Sequence, residues 1–357
     1  MAATFERERA VAEAAVLRAA ILTKRVQSSR VHAVSKADAT PVTVADFAAQ
    51  ALLISALHAA FPDDRFLGEE DSSALRRDPA LRDAVYALVS SSADGPASVD
   101  DMLDLIDLGG AGAGGPAGRF WAMDPIDGTA TFLKGQQYAV ALALVEHGRE
   151  VVGVVAYPSL DPDAGGGVGI RDRVVDAPDG MGVLLTAVKG RGATVRRFPS
   201  LAAASLASSP ASPLPPLPPP PPAADLRFVD CQRSSSTDHG PVRALAARLG
   251  AKYPGLDIWA SHVRYAALVL GAADAWVRVP RRGDAVFCTW DNAGAQLLFT
   301  ERGGCVTDLD GREIDFGAGR ALSANRGMVA ARADVHAELL AAVTDVLAAE
   351  DDKEAAR

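Results

Sequence analysis

The short stretch "DPIDGT", residues 124–129, combines two carboxylates with a proline and a glycine. It follows an apolar run, and the pattern predicts that a strand ends here and a helix begins. Pro125 and Gly128 restrict the backbone, so that both aspartates and the carbonyl of Ile126 can point at one place. Hard oxygen ligands suit Mg²⁺, and the free amides of Gly128 and Thr129 suit phosphate. The sequence therefore predicts a magnesium and phosphate site at this turn.

Four more acids stand in stretches that could contribute to the same chemistry: Asp46 in "TVADF", Glu69 and Glu70 in "LGEED", and Asp291 in "WDNAGAQLL". Each alone has an ordinary explanation, because acids favour helix starts, turns and surfaces. We predict that Asp291 caps the helix that follows it, with one oxygen free for a metal. The recurrence of such acids in one chain favours a shared site.

Composition narrows the class of protein. The chain has 357 residues, is 49% hydrophobic and carries 36 basic against 45 acidic residues, a net charge of −9. A large core is expected, and the absence of a basic block argues against a nucleic-acid partner. Three cysteines without metal-ligand spacing favour a reducing compartment. The N-terminus is too charged for a signal peptide, and no apolar run suits a membrane span, so we predict a cytoplasmic protein without a membrane partner.

Helices and hairpins can be placed in the first half. We predict a helix over 5–27 and a second helix whose cap is Thr43 and whose first turn holds Asp46. A short acidic helix, "VDDMLDLIDL", stands between loops within 90–118. Two strand hairpins follow, with turns at "HG" (147–148) and at "GRG" (190–192).

The second half alternates strands, in "RFVDC", "AWVRVP" and "CVTDLDGREIDF", with helices near 240–250, 261–271 and 291–302. This pattern predicts an α+β or α/β fold with mixed sheets.

A proline-rich stretch separates the two halves. Nine of the 22 prolines lie between 210 and 222. Such a run favours extended polyproline II, and we expect it to be unable to pair in a sheet and to be removable at little cost. It is interpreted as an insertion loop, with a ligand for SH3-type domains at 210–222 as the alternative.

Several stretches together resemble one family: "KADATPVTVADFAAQALL", "FPDDRFLGEED", "RFWAMDPIDGTATFLKGQQYAVALALV", "AVKGRGA" and "WDNAGAQLLFTERGG". They are similar to the Mg²⁺-dependent, lithium-sensitive phosphatases related to inositol monophosphatase. Within that group, "PVTVADFAAQ" and "FPDD…GEE" resemble the fungal-type 3′(2′),5′-bisphosphate nucleotidases. The resemblance implies a layered αβαβα sandwich and the hydrolysis of 3′-phosphoadenosine 5′-phosphate to AMP and phosphate. It also implies action on 3′-phosphoadenosine 5′-phosphosulfate and a place in sulfur assimilation.

The resemblance further assigns residues to roles. It implies that two or three Mg²⁺ are held, and that Asp46 and Thr129 position and deprotonate the attacking water. Glu70 is interpreted either as an acid behind the ligands or as a surface acid. The implied metal ligands are Glu69, Asp124, the carbonyl of Ile126, Asp127 and Asp291, and the implied substrate contacts are Gly128, Thr129, His239, Ser261, Arg264 and Arg278.

The same assignment divides the chain into an N-terminal α+β part (1–198) with the large sheet and most metal ligands, the proline-rich insert or linker (199–224), and a C-terminal α/β part (225–357) with the nucleotide contacts and Asp291.

The sequence departs from the family pattern at a few positions. Arg264 replaces a lysine, Ala130 stands where a basic residue is usual, and "AGA" at 293–295 replaces "AAG". The loop "RSSSTDHG" replaces a "GHSSH"-like loop, and His239 is the candidate for its histidine. These departures leave two alternatives open, an inositol (poly)phosphate phosphatase and a catalytically weakened nucleotide-binding paralogue.

Overall fold

The computed structural model describes residues 4–28, 33–35, 41–92, 94–161, 170–172, 182–198, 209–281 and 287–355. The first part of the predicted insert, 199–208, lies outside these residues.

Among the described residues, the N-terminal half contributes six helices and the large sheet. Its elements in chain order are α1 (Glu6–Ser28), β1 (Ala33–Ser35), β2 (Pro41–Thr43), α2 (Val44–Ala60), β3 (Arg65–Gly68), α3 (Ser73–Arg77), α4 (Pro79–Val89), α5 (Val99–Gly110), β4 (Arg119–Asp127), α6 (Thr129–Phe132), β5 (Ala139–Glu146), β6 (Arg149–Tyr157), β7 (Val183–Val188), β8 (Ala193–Arg197) and β9 (Ser212–Leu214).

The C-terminal half alternates strands and helices, as the sequence predicts. Its elements are β10 (Val229–Asp230), α7 (His239–Leu249), β11 (Leu256–Asp257), α8 (Ser261–Val269), β12 (Ala275–Arg278), α9 (Ala295–Thr300), β13 (Gly304–Thr307), β14 (Met328–Arg332) and α10 (Ala333–Ala355).

Two sheets and three helical layers form the sandwich. The seven-stranded sheet has the order β3-β4-β5-β6-β7-β8-β9, with β3 and β4 parallel and the other pairs antiparallel. Side chains alternate across it: Trp121 and Met123 join the core under α1, α2, α4 and α5, whereas Phe120 and Ala122 join the core under α8 and α9. Because both faces are covered at the centre of the sheet, β5, β6 and β7 are apolar over most of their length.

The small sheet, β12-β14-β13, closes the second core on its other side. Trp276 and Ala330 face α8 and α9, whereas Val277 and Val329 pack with α7 and α10. The order of layers is therefore helices, large sheet, helices, small sheet, helices, and the predicted αβαβα sandwich is confirmed.

The structure confirms the predicted cap of α2 and the predicted turn between β5 and β6. Thr43 is the N-cap of α2, and Asp46 completes a capping box with it. The β5–β6 turn lies at His147 and Gly148, whose φ angles are 50° and 74°, as a two-residue hairpin with right-handed twist requires.

Asp291 does not cap a helix, and that prediction is wrong. α9 begins at Ala295, and its N-cap is Gly294, which has no side chain to accept a capping hydrogen bond. Asp291 lies instead in the turn before α9, where Ala293 N donates to Thr289 O at 2.9 Å. Its carboxylate is thus available for other contacts.

The expectation that the proline-rich stretch cannot pair in a sheet is also wrong. Ser212–Leu214 form β9, which pairs antiparallel with Val195, Thr194 and Ala193 of β8. Pro213 is tolerated because β9 is an edge strand, where one side of the backbone needs no ladder hydrogen bond. We call residues 209–222 the strap.

A search of the described helices finds none that combines the length and the apolar character needed to cross a membrane.

Candidate active site

Three carboxylates meet where β4 ends. Oxygen atoms of Asp124, Asp127 and Asp291 all lie within 4.8 Å of one another, and the first two residues are buried. Burial and the charges of Glu69, Asp127 and Asp291 raise the pKa of Asp124 well above its usual range. Burial raises the pKa of Asp127 to about 6, and burial together with Asp127 raises that of Asp291 to about 6. Such acids repel one another, and a multivalent cation would relieve the repulsion.

An irregular strand end brings Asp124 and Asp127 together. Residues three apart on a regular strand point to opposite faces, but the pairing of β4 with β5 shifts register between these two aspartates. Pro125 lacks the N–H that a regular ladder needs, and Ile126 N donates to Asp124 Oδ1 at 3.1 Å. The bulge turns both carboxylates to one side.

Gly128 is required directly after the bulge. Its φ is 90°, and a Cβ there would lie 2.7 Å from Thr131 Oγ1 and 2.8 Å from the Cβ of Ala260. Both the left-handed backbone and the approach of the segment before α8 exclude a side chain.

Asp127 also joins the two halves of the protein. Its Oδ1 accepts from Ser261 N at 3.1 Å and its Oδ2 from His262 N at 2.5 Å. A carboxylate at the N-terminus of a helix is stabilised by free amides and by the helix dipole. α8 is therefore fixed relative to β4 by this side chain.

Asp46 and Thr129 are in contact, which agrees with the shared role that the family resemblance implies. Asp46 Oδ2 accepts from Thr43 N at 2.8 Å and from the Thr43 hydroxyl at 2.6 Å. The other oxygen, Oδ1, lies 3.2 Å from the Thr129 hydroxyl, which is also 3.2 Å from the carbonyl oxygen of Ile126. Since a hydroxyl has one proton, Thr129 donates to one of these acceptors at a time.

Glu69 and Glu70 follow β3 and differ in surroundings. Glu69 is half-buried, and its charge is the second cause of the raised Asp124 pKa. Glu70 is 2% exposed, so the surface-acid alternative is wrong. Gln50 Oε1 accepts from Glu70 N at 3.0 Å, and Gln50 Nε2 donates to Glu70 O at 2.6 Å. The buried glutamine fixes the backbone beside Glu69.

Two buried arginines, Arg264 and Arg278, lie near the carboxylates; we call them the open pair. Arg264 Nη2 donates to Ser261 Oγ at 2.9 Å, and its guanidinium lies 4.3 Å from the Trp276 ring centroid. That of Arg278 lies 3.8 Å from the Phe287 ring, and its Nε and Nη1 find no hydrogen-bond partner in the described part of the chain. Burial and Arg264 lower the pKa of Arg278 to about 10. An anionic group is the natural ligand for such cations.

His239 is not brought into the carboxylate cluster. Its Nδ1 lies 2.8 Å from Asp230 Oδ2 and its Nε2 lies 3.4 Å from Ser234 O. The ring nitrogens thus face the end of β10 and the loop between β10 and α7.

Comparison with known proteins agrees with this geometry. The sequence profile described as "Inositol monophosphatase family" matches residues 6–348. The chain belongs to the inositol monophosphatase family.

Curated relatives of this family member cover nearly the whole chain. A 3′(2′),5′-bisphosphate nucleotidase of Emericella nidulans is 39% identical, over 96% of this chain and 99% of that protein. Proteins of the same name from Schizosaccharomyces pombe and Oryza sativa are 33% and 34% identical, over 96% of this chain and 96% and 95% of theirs.

Solved structures show the same fold at low identity. The extragenic suppressor protein suhB from Bartonella henselae superposes with a TM-score of 0.60 at 19% identity, over 95% of this chain and 98% of that one. A Thermotoga maritima IMPase gives 0.56 at 17%, over 93% and 95%.

Within this family member, His262 is a site residue that the sequence analysis missed. Burial lowers the pKa of its ring to about 4, so the ring is neutral, and its Nε2 lies 2.8 Å from Trp290 O. A carbonyl only accepts, so Nε2 carries the proton. His262 therefore connects Asp127, through its backbone, to the turn that holds Asp291. The only feature of the sequence that could have indicated this role is the position of the histidine next to Ser261 at the start of a helix.

Glu150 was missed as well. It is buried at the start of β6 and accepts from Gly294 N in the turn before α9. Burial raises its pKa to about 8. Gly294 has φ 93°, and a Cβ on Gly153 would lie 2.8 Å from its Cα. The glycine of "AGA" thus stands where the backbone is left-handed and β6 approaches closely.

Proposed function

We propose that this chain is a 3′(2′),5′-bisphosphate nucleotidase, a phosphoric monoester hydrolase that converts 3′-phosphoadenosine 5′-phosphate to AMP and phosphate. The observation that carries the proposal is the open pair beside a carboxylate cluster. The charge of Arg264 partly offsets the rise in the pKa of Asp127 that burial causes, and the charge of Arg278 partly offsets the rise in that of Asp291. A substrate with two phosphates can place one at each group. The names of the curated relatives support the same activity.

The carboxylate cluster fits Mg²⁺. Its donors are all hard oxygens, which Mg²⁺ prefers, and their mutual repulsion leaves a buried negative site that needs a counter-charge. We assign Asp124, Asp127, Asp291, Glu69 and the Ile126 carbonyl to two or three ions. When bound, Mg²⁺ neutralises the phosphate, lowers the pKa of water and stabilises the leaving oxygen.

Asp46 and Thr129 are assigned to the attacking water. Thr43 holds one carboxylate oxygen of Asp46 and leaves the other for the Thr129 hydroxyl. When that hydroxyl donates to Asp46, its lone pairs can accept from the water, and the water proton can pass toward the carboxylate. The amides of Gly128 and Thr129 are assigned to the phosphate that is hydrolysed.

The remaining phosphate and the nucleoside are assigned to Ser261 and the open pair. Arg264 replaces a lysine of the family pattern, and its planar guanidinium can bind two phosphate oxygens at once. His239 is assigned to the edge of this subsite, where Asp230 orients its ring. The sulfated nucleotide carries the same 3′-phosphate and is proposed as a second substrate.

Phosphate release tests the assignment. The purified protein is given 3′-phosphoadenosine 5′-phosphate, its sulfated form, AMP and inositol 1-phosphate, with Mg²⁺ titrated from zero. We expect the highest kcat/KM for the bisphosphate, with no turnover in chelator. Preference for inositol 1-phosphate would favour an inositol phosphatase. Nucleotide binding without turnover of any substrate would favour a weakened paralogue.

A further inference from the structure

Between Leu214 and Pro220, the strap contacts the body of the protein with a period of three residues. Leu214, Leu217 and Pro220 are half-buried, whereas the residues between them are exposed. Both leucines pack against the core between the two sheets. Three residues per turn is the period of polyproline II, the conformation that consecutive prolines favour. One edge of a three-sided helix thus faces the body, and we call it the docked edge.

Two further buried arginines hold the strap by its backbone; we call them the closed pair. Arg302 Nε donates to Pro215 O at 2.8 Å, and Arg332 Nη1 donates to the carbonyls of Pro218 and Pro219. Arg302 and Arg332 are 7% and 4% exposed. Because these contacts order the strap in an extended form, a partner does not have to order it on binding.

The two outer edges of the strap present proline rings to solvent. Pro215–Pro216 and Pro218–Pro219 are exposed dipeptides separated by Leu217, which lies on the docked edge. Each dipeptide places one ring on each outer edge. Domains that recognise PxxP segments receive prolines in a groove lined by aromatic side chains. A domain that approaches from one side contacts two edges of the helix, and the body covers only the third.

We propose that the strap is a docking surface for an SH3-type domain, which binds the outer edges between Pro215 and Pro219. The two proline dipeptides are three residues apart, one turn of a polyproline II helix. This spacing matches the groove of a domain that has two neighbouring proline pockets. A binder that needs all three edges is excluded by the closed pair and the buried leucines. The proposal does not depend on the hydrolase activity, because none of these residues belongs to the carboxylate site.

The test titrates the full-length protein against a panel of immobilised, purified SH3 domains, with a WW domain and profilin as comparison probes. We expect saturable binding to SH3 domains. Pro216→Ala removes an outer ring and should weaken binding about tenfold, or 1.4 kcal/mol. The matched control, Pro220→Ala, removes a ring from the docked edge and should change binding less than about twofold, by the same conversion. Both variants should keep the wild-type turnover of the bisphosphate nucleotide.

Four results would overturn the proposal. The first is that no SH3 domain in the panel binds. The second is binding by the WW domain or profilin alone, which would assign the strap to another class of partner. The third is equal loss from Pro216→Ala and Pro220→Ala, which would contradict the assignment of edges. The fourth is binding of a synthetic 209–222 peptide but not of the full-length protein, which would show that the docked strap is inaccessible.

Discussion

The open pair and the closed pair are both buried arginines, but the groups around them differ. Arg264 and Arg278 lie against aromatic rings, and neither forms an ion pair with a carboxylate of the described chain. Arg332, in contrast, pairs with Asp274 at 2.7 Å and donates to strap carbonyls, and Arg302 donates to the carbonyls of Pro215 and Val269. A buried cation costs free energy unless it is paired. The closed pair therefore stabilises the fold through the strap and Asp274, although Arg332 Nε has no partner among the described residues. In the open pair, Arg264 donates to Trp259 O and Ser261 Oγ, and Arg278 retains Nε and Nη1 for a ligand.

The largest effect is expected at the carboxylates that accompany the open pair. Asp124→Asn or Asp127→Asn removes an anionic ligand from a cluster that supplies several kcal/mol of charge stabilisation, about 10³-fold or more in kcat. Glu70→Gln is the matched control and should cost far less, because Glu70 does not join the cluster. Steady-state kinetics at saturating Mg²⁺ measures all three. Equal, small losses would refute the metal assignment.

Asp46→Asn and Thr129→Val should lower kcat by ~10²–10⁴-fold and leave the Mg²⁺ concentration for half-maximal activity nearly unchanged. Because the two side chains act through one hydrogen bond, the double variant should be scarcely slower than the slower single variant. Losses that multiply would show that the two residues act independently.

The two arginine pairs can be compared directly. Arg278→Met should lower kcat/KM for the bisphosphate by roughly 10²-fold, since a buried charged hydrogen bond to a ligand is worth about 2–5 kcal/mol. Its Tm should not fall, because the change removes a buried cation whose Nε and Nη1 lack partners among the described residues. Arg302→Met should do the reverse, with a lower Tm and an unchanged KM. The comparison fails if both variants lose stability and neither changes KM.

Removal of the strap is now expected to destabilise the protein. Replacing 209–222 by a short Gly/Ser linker removes the acceptors of the closed pair and uncovers two leucines, at about 1–3 kcal/mol for the lost partners. This reverses the expectation from sequence that the stretch is removable at little cost. Thermal unfolding measures the change in Tm. An unchanged Tm would show that the strap is a loose insertion that does not stabilise the protein.

The last prediction concerns Glu150, a buried acid whose partners are backbone amides. Its folded pKa of about 8 lies above the ordinary 4.5, so its protonated form favours folding. That contribution is present below pH 4.5 and is lost as the pH rises to about 8. The charge of Lys189 lowers the pKa of Glu150 and so partly offsets the effect of burial. The charge of Glu150 in turn raises the pKa of Tyr265. The Tm of Glu150→Gln should therefore rise relative to the Tm of the wild type as the pH increases from 4.5 to about 8. A difference that does not vary with pH would contradict the assignment.

Much of the site follows from short stretches of sequence. "DPIDGT" specifies a strand end, a break in pairing and a glycine turn because each property belongs to residues within six positions. "TVAD" likewise specifies a cap and an acid in the next turn, whereas the pairing of Asp46 with Thr129 came from the family resemblance. The helices and hairpins of the first half depend on equally local signals.

Partners from distant elements escaped prediction. His262 N reaches Asp127 across 135 positions, and Arg332 reaches Pro218 across 114. Asp291 was taken for a cap because it precedes an apolar run, but α9 begins four residues later, where Glu150 of β6 accepts from Gly294 N. No local pattern indicates which carbonyl or carboxylate will face a given arginine.

The sequence by itself determined an α+β or α/β class and the turn at "DPIDGT", because capping, turn geometry and hydrophobic period act within a few residues. The layered sandwich and the full set of converging acids came from the resemblance of several stretches to one family. Only the tertiary structure decided which acids are buried together, which arginine pair is satisfied by the chain, and that the proline-rich stretch is docked. The physical reason is that the free energy of a buried charge depends on the groups that surround it. Those groups come from elements that meet only when the two sheets and three helical layers pack.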